Sequence, residues 1–223
     1  TVAYNFTTFW DTTEFIRECL FVNGTSNIFE WSGAFDTVVS TTSNTVVVTN
    51  PIATTGFYTS SKMIITIRGV DYTYSGVSGS TFTGVSPDPT SGANTVYTGD
   101  IAVQKVNTTA NSAMTAIPST LANGLISVLN NQVFVGSLTS ASVYMSKTNS
   151  YTDYSFSATG RLPAEGATAN LDDNLVALMP QEDVMYISCG KNFWYNTKLV
   201  QSTAAVWNGL TTVTITFETF QVV

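Results

Sequence analysis

One pattern recurs three times along the chain, and it limits the folds available. Leu20-Phe21-Val22-Asn23-Gly24 leads into Asn27-Ile28-Phe29-Glu30-Trp31-Ser32. Val133-Phe134-Val135-Gly136-Ser137 leads into Ser142-Val143-Tyr144-Met145-Ser146. Met185-Tyr186-Ile187-Ser188-Cys189-Gly190 leads into Asn192-Phe193-Trp194-Tyr195-Asn196. Each is an apolar, β-branched or aromatic run, a cluster of small residues, and a second run bearing an aromatic. That grammar specifies a β-hairpin with a tight connection.

The spacing adds a second constraint. Phe134 and Tyr186 are 52 residues apart, and Phe21 and Phe134 are 113 apart. The longer interval holds a stretch, Asn44 to Val106, patterned as a small β unit of its own. Excising its ~63 residues leaves ~50, near the other interval and near the repeat length of kelch-type propeller blades. A four-stranded blade cannot bury both faces alone, so blades stack around an axis. The expected fold is therefore all-β: partial β-propeller-like blades of antiparallel hairpins, over residues 1–43 and 107–223, with an inserted small β-barrel or sandwich unit at 44–106. Three blades are fewer than the four or more of a closed propeller. Further blades are expected from a longer parent chain or a partner. Thr1 is not an initiator Met, so the chain is expected to be a processed product or a piece of something longer.

Other runs fit the same class. Thr45–Thr49, Met63–Ile67 and the strictly alternating Thr212–Phe217 read as strands. The inserted stretch reads as a hairpin around Arg68 to Asp71, a break at Pro87 and Pro89, and a closing strand Ile101-Ala102-Val103-Gln104. Thr12 to Glu18 carries the sole helical hint, one turn at most.

Composition decides between function classes. Hydrophobic residues make up 43% of the 223 and charged ones only 10%, against the roughly 25% charge of an ordinary domain. The polar surface must come from Thr, Ser and Asn, short side chains that lose little rotamer freedom when immobilised. Such a surface suits permanent packing against neighbours. A net charge of −7 with eight scattered basic residues argues against specific nucleic-acid binding. No apolar run reaches the ~18 residues of a membrane-spanning helix, so no membrane insertion is expected.

The chain has no histidine, the commonest general base and metal ligand. No Gly-x-Ser-x-Gly elbow occurs, and Gly76-Val77-Ser78-Gly79 lacks the lysine and helix of a phosphate cradle. Cys19 and Cys189 lack zinc-site spacing and read as small buried hydrophobes. The acids Asp172-Asp173-Asn174 and Glu182-Asp183 match no calcium-loop repeat and read as turns. Asp153, Glu165 and Asp172 are the candidates for a glycosidase carboxylate pair, but no Asp-box accompanies them, so they read as turn and surface acids. Asn5, Asn23 and Asn107 open glycosylation-type triplets that a Thr-rich chain produces by coincidence. Among the tryptophans, Trp31, Trp194 and Trp207 are the candidates for glycan or interface contact. No catalytic residue, cofactor or metal site is assigned, and the chain is not expected to be an enzyme.

The segment from Asn131-Gln132-Val133-Phe134 through Val143-Tyr144-Met145-Ser146-Lys147 to Tyr151-Thr152-Asp153-Tyr154-Ser155-Phe156 resembles blades of tail-associated propeller proteins of tailed bacteriophages. So do Pro163-Ala164-Glu165-Gly166-Ala167 with Leu171-Asp172, and Val184-Met185-Tyr186-Ile187-Ser188 with Phe193-Trp194-Tyr195. Tyr72-Thr73-Tyr74-Ser75-Gly76 and Thr83-Gly84-Val85-Ser86-Pro87-Asp88-Pro89 resemble stretches of phage virion proteins. The resemblance implies a structural component of the phage tail, of tail-nozzle, ring or adaptor type. It would act by assembly as a homo-oligomer with other tail proteins, and its location would be the virion. The alternative is a receptor- or glycan-binding module of a tail fibre or spike.

Overall fold

The computed structural model describes residues 3–155, 167–171, 173–182, 184–190, 193–197 and 218–220. The protein is all-β, built from several antiparallel sheets. The chain opens with β1 (Asn5–Asp11), β2 (Ile16–Val22) and β3 (Asn27–Trp31). It then forms a seven-stranded sheet from β4 (Phe35–Thr42), β5 (Thr45–Val48), β6 (Ile64–Ile67), β7 (Val70–Thr73), β8 (Gly76–Ser78), β9 (Thr81–Thr83) and β10 (Ile101–Gln104). Their spatial order is β7-β6-β10-β4-β5-β9-β8. It returns as β11 (Asn107–Ala110), which lies beside β3 and completes a first four-stranded sheet, β1-β2-β3-β11.

Two more four-stranded sheets follow, each with its strands in chain order. The second is β12 (Leu125–Leu129), β13 (Gln132–Gly136), β14 (Ser142–Met145) and β15 (Ala167–Asn170). The third is β16 (Leu175–Gln181), β17 (Val184–Cys189), β18 (Phe193–Thr197) and β19 (Glu218–Phe220). The three repeated hairpins of the sequence are β2–β3, β13–β14 and β17–β18, the middle pair of each sheet.

The chain divides into two compact units. The first draws on the segments Thr1–Trp10, Leu20–Phe29 and Thr108–Val223, the second on Asp11–Cys19 and Glu30–Asn107. In the first unit, strand alternation makes two cores. Phe9, Leu20, Val22 and Ile28 of the first sheet meet Ile126, Val133 and Val135 of the second, with Met114, Ile117, Leu121, Tyr151 and Tyr154 closing round them. Phe134, Val143 and Met145 point to the other side of the second sheet and meet Leu175, Met185, Ile187 and Cys189 of the third. Every residue of β13 is therefore buried. Each such aliphatic contributes roughly 1.5–3 kcal/mol by leaving water. Gly136 makes close packing possible here, because a Cβ would overlap Leu175 Cδ2 and come within 3.1 Å of the Ser142 carbonyl.

The second unit has one core, in which Val38, Val46, Val48, Ile65, Ile67, Tyr72, Phe82 and Ala102 line the inner face of the seven-stranded sheet. Phe57 and Tyr74 pack edge-on against Phe82, at centroid distances of 5.0 and 4.8 Å. Arg68 and Gly69, both at positive φ, form the two-residue turn of the β6–β7 hairpin, as the sequence specified.

The closed barrel expected as one form of the inserted unit is not what forms. The sheet stays open, with β7 and β8 as its edges, and no sheet closes into a barrel among the described residues. β4 lies at the centre of the sheet between β10 and β5, so its residues share the core. The helical hint at Thr12–Glu18 resolves into a turn with Phe15 at φ 57°, and strand begins at Ile16. Thr212–Phe217 lies outside the described residues.

Candidate functional site

The aromatic candidates do not gather. Trp31 ends β3, half-buried, and its indole Nε1 donates to the Gln104 carbonyl at 3.0 Å. Trp194 falls in β18, with its backbone opposite Ile187. Trp207 lies outside the described residues, as do Asp172, Asp183 and Glu165. Asp153 is occupied locally. It accepts from Ser155 N at 2.9 Å and Ser155 Oγ at 2.6 Å and pairs with Lys147 at 2.9 Å. Burial opposes the ionised form, but these partners outweigh it and hold the carboxyl below its ordinary range. Asp173 accepts from Asn174 N within its own turn. Cys189 is buried in a core. Cys19 is half-buried, and burial together with the Glu18 carboxyl pushes its thiol up, away from reactivity.

The polar centre of the molecule lies elsewhere, in the second unit. Asp11 Oδ1 accepts from the backbone N–H of Thr13 at 2.6 Å and of Glu14 at 3.2 Å, which fixes the turn between β1 and β2. That turn aims Glu14 at the loop before β6. One carboxylate oxygen or the other accepts from the backbone N–H groups of Thr59, Ser60 and Ser61, at 2.6, 3.1 and 2.6 Å. The hydroxyls of Ser60 and Ser61 add bonds at 3.0 and 2.8 Å. Burial alone would raise the Glu14 pKa, yet this cradle of donors outweighs it and the net direction is downward.

Beside it sits a buried carboxyl pair. Glu18 lies on the same side of β2 as Leu20 and Val22, and Glu30 on the same side of β3 as Ile28. Glu18 is 2% exposed and Glu30 1%. Lys62 pairs with both carboxylate oxygens of Glu30. Tyr58 donates its hydroxyl to Glu18 Oε2 at 2.9 Å, and the Lys62 ammonium lies 5.8 Å from the Tyr58 ring centroid. The Asp11, Glu18 and Glu30 carboxylates each place an oxygen within 4.8 Å of the others. The Glu18 and Glu30 carboxyls also hydrogen-bond each other. Burial, then the charge of Glu30, pushes the Glu18 carboxyl up to about 9. Burial and the same two carboxylates push the Tyr58 phenol well above its ordinary value.

Glu18 and Glu30 escaped the sequence reading because acids were sought in turns. A signal was present: strand alternation places Glu18 in phase with Leu20 and Val22, and Glu30 in phase with Ile28. An acid in a buried phase needs a compensating partner. Its partners Tyr58 and Lys62 are remote in sequence, and nothing local announced them. Carboxyl groups this deeply buried do not meet a substrate, so the chemistry open to them is charge balance, proton sharing and cation binding.

Comparison with protein-family models, with curated proteins and with solved structures finds no match.

Proposed function

We propose that this chain is a structural subunit of a tailed-phage particle, a tail ring, nozzle or adaptor component that acts by assembly. The supporting observation is the architecture of the first unit: three successive four-stranded sheets, packed face on face through two apolar cores. That is how propeller blades stack, and in this reading the seven-stranded unit is a guest between the third and fourth strands of the first blade. Both outer faces of the stack carry apolar side chains. On the first sheet Phe6 is 72% exposed and Tyr4 60%, Trp10 is exposed, and Phe21 and Phe29 stack at 5.1 Å. On the third, Val176 and Met179 are exposed. Further blades, supplied by a longer chain or by a neighbouring subunit, would cover these faces. The resemblance of residues 131–156 to phage tail blades supplies the virion setting.

Mass measurement by light scattering tests the reading. Stable rings of fixed copy number are expected, and Phe6→Ser with Trp10→Ser is expected to release folded monomer. A wild-type chain that is folded and monomeric at every concentration sinks the proposal. No observation favours glycan binding through Trp31, whose ring is half-buried and whose N–H is already engaged.

A further inference from the structure

We propose that the Lys62 amine and the Glu30 side-chain carboxyl condense into an amide, an intramolecular isopeptide bond, with Glu18 carrying the protons. The inference is independent of the assembly reading, since it concerns the interior of the second unit alone.

The reacting groups are already together and held there. Lys62 Nζ contacts both carboxylate oxygens of Glu30. The last torsion of a glutamate is soft, so a turn of the carboxyl plane presents Glu30 Cδ to the amine. Glu30 itself is fixed in β3 and buried. Lys62 ends its loop in the left-handed region, at φ 50°, which few non-glycine residues adopt. Its carbonyl accepts from Ile64 N at 2.8 Å and from Gln104 Nε2 at 3.3 Å. The three residues before it are held on the Glu14 carboxylate. Groups held in this way react as if at about 10⁵–10⁸ M, far above the concentration of the water that would reverse an amide.

Contact alone gives an ion pair. Asp71 also meets a lysine, Lys105, but it is exposed and stays ionised under the bonds of Lys105 and Thr66, so that pair remains ionic. Proton sharing opens a covalent step at Glu30. Glu18 is buried, hydrogen-bonds Glu30 and is oriented by the Tyr58 hydroxyl on its Oε2. Burial and the Glu30 charge keep it protonated at neutral pH. Asp11, the third carboxyl of the group, is tied through Oδ1 to its own turn. Lys62 first passes one ammonium proton to Glu30, leaving a neutral amine against a neutral acid, an exchange that burial favours. The amine lone pair then adds to Glu30 Cδ, and the Glu18 hydroxyl stabilises the charge that grows on oxygen. Glu18 gives its proton to the departing hydroxyl and takes one from the nitrogen. The C–N bond forms, the C–O bond breaks, one water leaves, and Glu18 ends protonated as it began. The Lys62 side chain, 28% exposed, marks the path by which that water leaves. The product replaces a largely buried ion pair with a neutral amide, which removes the cost of holding those charges away from water.

The test is intact mass spectrometry of the full chain in denaturing solvent, where an ion pair falls apart and an amide does not. The wild type is expected to read one water below its sequence mass. Trypsin should spare Lys62, so that the loss maps to one uncut peptide, residues 18–68. Lys62→Arg keeps a cation against Glu30 but offers no nucleophilic amine, and it should show its full mass. Glu18→Gln keeps an oxygen for Tyr58 and an N–H for Glu30 but cannot carry a proton, and it too should show its full mass, with the circular dichroism of the wild type. A folded wild type at full sequence mass overturns the proposal. So does a water loss that persists in Lys62→Arg or in Glu18→Gln. Should Glu18→Gln fail to fold, Glu18→Asp takes its place: the acid is kept but drawn back by one methylene, a full-mass fraction is expected, and complete linkage overturns the part given to Glu18.

Discussion

The two units solve the burial problem in opposite ways. The first stacks sheets on apolar cores, in which Leu, Val, Ile, Met and aromatic side chains meet from both sides, and its buried polar side chains, among them Asn111, Asn123, Gln132 and Ser146, carry no charge. The second has a comparable apolar core but also buries Glu14 in a cradle of donors, Glu18 against the Tyr58 hydroxyl and Glu30 against Lys62. Apolar stacking is non-directional, so one face accepts another of similar shape, and the arrangement suits repetition. A buried polar network is specific to position and responds to protons and ions. The difference teaches that pH should act more strongly on the interior of the second unit than on the apolar cores of the first.

The largest expected effect probes the apolar cores of the first unit. Met185→Ala empties a fully buried position between the second and third sheets and should cost about 2–5 kcal/mol. Urea unfolding should give the same loss at pH 5 and pH 8, and a strong pH dependence would blur the contrast between the units. Next comes Glu14. Glu14→Ala strips the donors of Thr59, Ser60 and Ser61 of their acceptor and should cost about 3 kcal/mol at neutral pH. The folded pKa of Glu14 lies below its unfolded value. Its contribution is therefore present above the ordinary carboxylate range and is lost as pH falls through the folded value. The gap between wild type and variant should close in acid, and a gap that persists at pH 2 would show that lost packing, not the charge, sets the cost. The smallest effect is Trp31→Phe, which removes the bond to the Gln104 carbonyl and should cost about 1 kcal/mol in thermal unfolding. A loss several times larger would mean that the indole bears on the carboxyl pair nearby in sequence.

Local pattern made part of this legible. Alternation and turn residues marked β2–β3, β13–β14 and β17–β18, the Arg68-Gly69 turn and the strand Ile101–Gln104. Non-local pairing did not show. Nothing in Asn107–Ala110 says that it completes a sheet begun 80 or more residues earlier, since a strand's partner is set by tertiary packing and not by its own sequence. The pairing of β4 with β10 was hidden for the same reason, because 58 residues separate the end of one from the start of the other. The carboxyl site was half legible. The phase of Glu18 and Glu30 was on view, whereas Tyr58 and Lys62, at the end of a loop, carried no mark of their destination.

β13 has a consequence of its own. Val133 and Val135 fill one interior and Phe134 the other. A slip of that strand by a single residue would thrust the phenylalanine among the valines' neighbours and leave a hollow behind it. Two independent cavities thus proofread the alignment of one strand, so misaligned folding intermediates are penalised on both sides at once.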